Sequence, residues 1–273
     1  MGTTRQRDFT GEAMGELVFI GLGLHDENYI TLRGLEKARK CDVLFSEHYT
    51  SRMKEGAIER LEKKVGKRIT ILRREEVEKG ELILREARTR TVGFLVPGDP
   101  MSATTHMDLR IRAEKQGIPT QIIHGVSIVS AATGLLGLQS YKFGRTTTLP
   151  FRERGYFPSS PYEVVKRNKD MGLHTLILLD LKEGGETMKI KEAIDYLLEL
   201  EEERREGVIS MESLVCAVGD AGSERPEVVC DCVRNLLKKE MKSRIFCLVI
   251  PSELHFMEKE ALRILTKPKK VDE

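Results

Sequence analysis

Asp99 stands in VPGDPMSATTH (96–106), where Pro97, Gly98 and Pro100 force an irregular loop between an apolar run and a helical pattern. A carboxylate held in a rigid turn accepts hydrogen bonds from a ligand, or from the amides of its own Asx turn. The two roles are compatible. Ser102 or Thr104 is placed to cap the helix that follows. A second stretch, IGLGL (20–24), sets Gly21 and Gly23 at a strand end, where a backbone without Cβ atoms turns sharply and lets a ligand approach. The third glycine of a dinucleotide fingerprint would fall at position 26, which is Asp26; Glu47 lies at about the spacing of a ribose-binding acid. A nicotinamide-type oxidoreductase using Gly21, Gly23 and Glu47 is therefore weakened but not dismissed.

HGVSIVSAATG (124–134) is rich in small residues, so the start of its helix can come close to a ligand. His124 in that stretch is a candidate catalytic residue, although an isolated histidine is more often structural. LQSYKFGRTTTLPF (138–151) carries Lys142 and Arg145, suited either to an anionic or protein substrate or to an interdomain connection. His255 has no partner visible in the sequence. Cys230-Asp-Cys232 has one residue between its thiols where a zinc knuckle has two, so no metal is expected. No nucleophile elbow, zinc-protease helix or P-loop is found. The residues by themselves assign no catalytic group.

Apolar runs alternate with helical patterns along most of the chain. The expected strands are LVFI (17–20), VLF (43–45), ITIL (69–72), VGFLV (92–96), TQII (120–123), TTTL (146–149), HTLILLD (174–180), SLVCAV (213–218) and RIFCLVI (244–250). Helices are expected from Thr31, a cap, to Lys40, over about 102–116 with Gly117 as the stop, and over 189–206. The rhythm predicts an α/β protein with mainly parallel sheets covered by helices. The texture changes near residues 122 to 145. The expected organisation is a disordered tail over 1–13, an α/β lobe over 14–123 and a second α/β lobe over 124–273.

Of 273 residues, 40% are hydrophobic and 32% charged, which suits a globular chain. A net charge of +2 does not call for a nucleic-acid partner. No run of eighteen apolar residues calls for a membrane span. The five cysteines, Cys41, Cys216, Cys230, Cys232 and Cys247, are odd in number and mostly lie in or beside apolar runs. Reduced thiols in a cytoplasmic protein are expected.

The ordered set IGLGLHDENYITLRGLE, EHYTS, PGDPMSATTHMDLRIRA, GLQSYKFG and GLHTLILLDLK resembles the diphthine synthase family, a branch of the tetrapyrrole (porphyrin and corrin) methylases. The resemblance covers roughly Glu16 to the C-terminal helix. It implies two α/β lobes with S-adenosylmethionine in the cleft between them, a homodimer, and methylation of the amino nitrogen of a modified histidine on translation elongation factor 2. Carried over by position, the implied cofactor contacts are Leu24, Asp99, Ser102, Ser127, Ile128, Leu179, Val218 and His255. VGDAGS (218–223) departs from the family pattern, which more usually has an arginine where Asp220 stands. The cofactor carries no phosphate, which is compatible with the absent third glycine. Methylation of a small tetrapyrrole or corrinoid is the alternative within the class. An NAD-binding oxidoreductase and a cofactor-free interaction module are the alternatives outside it.

Overall fold

The structure is a computed structural model that describes residues 15–182 and 185–266. The tail expected over 1–13 lies outside the described residues. The chain divides into two compact units, 1–128 and 129–273.

The first unit runs β1 (Glu16–Gly21), α1 (Leu32–Lys40), β2 (Val43–Glu47), α2 (Ala57–Val65), β3 (Thr70–Leu72), α3 (Arg74–Lys79), α4 (Glu81–Ala87), β4 (Thr91–Val96), α5 (His106–Lys115) and β5 (Thr120–Ile123). Its strands lie in the order β3-β2-β4-β1-β5, and every pairing is parallel. Alternate residues of β1 and β4 serve two cores. Leu17, Phe19, Phe94 and Val96 pack with Leu109 and Ala113 of α5. Val18, Ile20 and Leu95 pack with Ala38 of α1 and Leu61 of α2. Burial on both faces is why these strands read as unbroken apolar runs rather than as alternation. Phe19 and Phe94 meet edge-to-face with ring centroids 6.0 Å apart. Burying each such ring contributes roughly 1.5–3 kcal/mol.

Helix ends follow the local chemistry. Thr31 caps α1, its Oγ1 accepting from the Gly34 amide at 3.0 Å. α5 begins at His106, four residues beyond the expected Ser102, and neither Ser102 nor Thr104 caps it. The intervening loop is bound to itself: Thr104 Oγ1 donates to the Pro100 carbonyl at 3.1 Å, His106 Nδ1 lies 3.0 Å from the same oxygen, and Ala103 has φ 55°. A left-handed residue cannot continue an α-helix.

The division between the units falls at the start of α6 (Ile128–Leu136). A 3₁₀ turn (Ser140–Lys142) follows, then β6 (Thr147–Leu149), α7 (Ser160–Asp170), β7 (Thr175–Leu179), α8 (Ile190–Arg204), β8 (Leu214–Gly219), β9 (Glu227–Cys232), α9 (Val233–Leu236), β10 (Phe246–Ile250) and α10 (Phe256–Leu265). The strand order is β6-β7-β10-β8-β9; only β6–β7 is parallel, and the other three pairings are antiparallel. The expectation of mainly parallel sheets therefore fails in this unit. β9, reading EVVCDC, is a strand the sequence reading passed over. One face of the sheet packs Leu149, Ile177, Ala217 and Leu248 against Ile194 and Leu197 of α8.

The cysteines also need correction. Cys216 and Cys230 are register partners across β8 and β9 and are joined as a disulfide. Cys41, Cys232 and Cys247 are free. Burial pushes the Cys41 thiol up to about 11 and the Cys247 thiol up to about 12, so both behave as apolar filler. Among the described residues no helix is long and apolar enough to cross a membrane.

Candidate active site

β4, β1 and β5 are neighbours in a parallel sheet, so the loops after them leave from one edge. These are the glycine turn after β1, the Asp99 loop after β4 and the His124 stretch after β5. Their backbones touch. A Cβ on Gly21 would lie 2.4 Å from the Gly125 nitrogen and 2.8 Å from the Gly98 oxygen. Gly23 and Gly98 exchange hydrogen bonds, Gly23 N to Gly98 O at 3.0 Å and Gly98 N to Gly23 O at 2.7 Å, although β1 and β4 themselves run parallel.

This arrangement removes the parts of a dinucleotide site. The Gly23 and Gly98 amides are bonded to each other and are not offered to a phosphate. α1 starts only at Leu32, so the glycine turn does not open directly into a helix. Glu47 is buried and accepts from the Tyr49 amide at 2.8 Å, the Thr50 amide at 3.0 Å and the Thr50 hydroxyl. Burial pushes its carboxyl up and those donors draw it back, with a net rise. A carboxylate so occupied folds its own loop and is not held ready for a ribose.

Asp99 is the polar centre of the edge. Its Oδ1 accepts from the Met101 amide at 2.9 Å, which is the Asx turn that the sequence allowed. Its Oδ2 accepts from the Gly125 amide at 3.3 Å and faces His124 Nδ1 at 2.7 Å. The carboxylate is 9% exposed and the imidazole 73%, so the anchor is buried and the ring stands out from it. A carboxylate offers about four acceptor positions, and these donors fill three. Leu24, half-buried, follows Gly23, and its carbonyl accepts from the Asp26 amide at 2.8 Å. Ser102 is half-buried, with its amide 3.3 Å from the Asp99 carbonyl. Ser127 and Ile128, also half-buried, lead into α6. The structure thus brings the sequence candidates of the first unit to one strand edge. It adds Gly98, Gly125 and the Asp99–His124 pair, whose members are 25 residues apart.

The second unit holds the other candidates in structural settings. The Leu179 side chain belongs to the core cluster, which leaves only its main chain for a ligand. Val218 is buried in β8, while its neighbour Ala217 points into that core from the other face. Asp220 has φ 45°, and its Oδ1 accepts from the Arg244 and Ile245 amides at 3.3 and 3.4 Å. His255 is the N-cap of α10, its Nδ1 accepting from the Met257 amide at 3.4 Å. The amide of His255 donates to Glu258, a fully buried carboxylate that sequence reasoning missed. Glu258 also accepts from the Gln139 amide at 2.9 Å, Lys142 Nζ at 2.8 Å and His174 Nε2 at 3.0 Å. His174 Nδ1 accepts from the Ser252 amide at 2.9 Å, which places the ring proton on Nε2. Burial alone would raise the Glu258 carboxyl, but Lys142 and the other donors bring it down to about 2. Lys142, singled out in the sequence as a possible substrate contact, is engaged here.

Residues 16–225 match the model of the Tetrapyrrole (Corrin/Porphyrin) Methylases. The chain belongs to this family. Curated relatives include the diphthine synthase of Methanosphaera stadtmanae, 42% identical over 90% of this chain and 94% of that protein. The diphthine synthase of Methanococcus maripaludis is 45% identical over 91% of this chain and 98% of that protein. A crystal structure of diphthine synthase superposes with a TM-score of 0.84 at 35% identity, covering 92% of this chain and 96% of that one. The chain is therefore an S-adenosylmethionine-dependent methyltransferase with the two-lobed α/β fold of the family.

The edge of the first unit suits that cofactor, a phosphate-free nucleoside joined through sulfur to an amino acid. The Gly23 and Gly98 amides that a phosphate would need are already paired. A Cβ added at Gly98 meets nothing within 4 Å, so space lies open beside that backbone. Asp99 retains an acceptor position for a hydroxyl or an ammonium.

Proposed function

We propose that this methyltransferase of diphthamide biosynthesis transfers methyl groups to the amino nitrogen of the modified histidine on translation elongation factor 2, forming diphthine. The observation that carries the reading is the glycine-lined edge around Asp99, with its amides closed to phosphate, in a chain 42–45% identical to diphthine synthases over most of its length. Asp99 and the main chain at Leu24, Ser102, Ser127 and Ile128 hold the cofactor in the first unit. Leu179, Val218 and His255 are the contacts proposed from the second, Leu179 through its main chain. The enzyme works as a cytoplasmic homodimer in this reading.

When bound, the cofactor supplies a methyl group on a positively charged sulfur, already a good leaving group. The protein's part is to bring the acceptor nitrogen into line and keep water away. Such positioning is worth roughly 7–11 kcal/mol of barrier. Rigid loops serve this end, and the reciprocal Gly23–Gly98 bonds and the Asp99 turn supply them. The test is to incubate the chain and S-adenosylmethionine with elongation factor 2 carrying the unmethylated precursor and, separately, with a porphyrin precursor, and to follow added mass. The reading expects methylated elongation factor 2 and unchanged porphyrin. The reverse outcome overturns it in favour of a tetrapyrrole substrate.

A further inference from the structure

We propose that His124 is a catalytic residue that takes the proton from the methyl-accepting nitrogen, with Asp99 as the positioning residue that fixes its tautomer. The inference rests on the reading of the chain as an amino-nitrogen methyltransferase and supplies the base that the sequence did not show.

An amine is mostly protonated near neutral pH and has no lone pair for attack until it sheds that proton. Imidazole is the side chain best matched to such an exchange. Both oxygens of Asp99 already accept from backbone amides, so the carboxylate can only accept from the ring as well. Nδ1 of His124, 2.7 Å away, therefore carries the hydrogen and donates it. That leaves the Nε2 lone pair as the ring's acceptor. Nε2 bonds to no other described residue, and the ring is 73% exposed. An imidazole oriented by a buried carboxylate is how a general base is normally held in its working tautomer.

The placement agrees. His124 follows the last residue of β5, and its neighbour Gly125 is packed against Gly21 and Gly98, at the edge where the cofactor contacts of the first unit lie. The ionisable group against the ring is Asp99; Gly21, Gly98 and Gly125 contribute backbone alone. Three other ionisable groups of the unit are engaged or buried. Glu47 is held by Tyr49 and Thr50, Glu27 is paired with Arg60 at 3.0 Å, and His106 is buried against the Pro100 carbonyl. His25 lies in the glycine turn but has no carboxylate orienting its ring among the described residues.

The step balances. The acceptor N–H bond breaks as Nε2–H forms, giving an imidazolium paired with Asp99. The freed lone pair forms the new C–N bond while the methyl–sulfur bond breaks and sulfur keeps its electrons. The ring then returns the proton to water.

The test uses the full chain, elongation factor 2 carrying the precursor, and the variants His124→Ala and Asp99→Asn. His124→Ala is expected to melt with wild-type and to bind S-adenosylhomocysteine within about threefold of wild-type by calorimetry. Its turnover should fall about 100-fold at neutral pH. Added imidazole or alkaline pH should restore part of that loss. Nitrogen NMR of wild-type should show His124 protonated at Nδ1 and bare at Nε2, and Asp99→Asn should mix the tautomers. Wild-type turnover and pH profile in His124→Ala, or a ring protonated at Nε2 in wild-type, overturns the proposal and leaves the functional reading standing. A wild-type chain that methylates nothing brings down both.

Discussion

In the first unit all five strands run one way, so the loops after β1, β4 and β5 emerge together. In the second unit three of the four pairings are antiparallel, so successive loops leave from opposite ends. The difference decides what polar residues do. On the parallel edge Asp99 keeps an acceptor position open and holds up an exposed imidazole. In the second unit Glu258, with no exposure, receives donors from the Gln139 and His255 amides, Lys142 and His174, and binds distant segments into one cluster. One carboxylate keeps room for a further donor; the other is filled by donors from its own chain.

The contrast can be broken by substitution. Glu258→Ala should have the largest effect, about 3–5 kcal/mol of stability in urea unfolding, because it takes the carboxylate from Lys142 and from the His174 ring and the Gln139 and His255 amides, while Lys142 keeps only the Glu253 carbonyl. Its pH dependence has a definite sign. The folded carboxyl is held at about 2 against an ordinary 4.5, so its stabilisation is complete above about pH 4.5 and is lost as pH falls towards 2. Acid titration of Glu258→Gln should lack that component.

Gly21→Ala comes next. Its Cβ would meet the Gly125 nitrogen at 2.4 Å and the Gly98 oxygen at 2.8 Å, all backbone, so about 3 kcal/mol of strain is expected in thermal unfolding, with cofactor binding lost. Asp99→Ala sharpens the comparison from the other side. It should weaken S-adenosylhomocysteine binding in calorimetry by about 1–3 kcal/mol; unchanged affinity would separate Asp99 from the cofactor altogether. The smallest effect is Thr31→Ala, about 1 kcal/mol from the lost α1 cap, with binding untouched.

Much of the first unit is legible in the sequence because its determinants are local. Apolar runs mark strands buried on both faces, Thr31 announces α1, and Gly117, with φ 74°, ends the α5 segment. The start of α5 is misread because Ser102 and Thr104 look like caps, while the turn at Ala103 is set by bonds to Pro100 that spacing does not reveal. The second unit is harder because its determinants are distant. Strand direction there is decided by which strands pair, and β9 carries Asp231 in the middle of CDC. Cys216 and Cys230 face each other only once β8 and β9 are in register. The same holds for function. Asp99 stands out in its loop, but its contact with His124 exists only because β4, β1 and β5 are adjacent. Glu258 and His174, 84 residues apart, leave no trace in the chain order.

The reciprocal bonds between Gly23 and Gly98 have a practical consequence for redesign. They clasp two loops that are far apart in the chain, so lengthening or swapping either alone would strand the other's amide and carbonyl. Anyone wishing to rebuild either loop would have to transplant both segments as a matched pair.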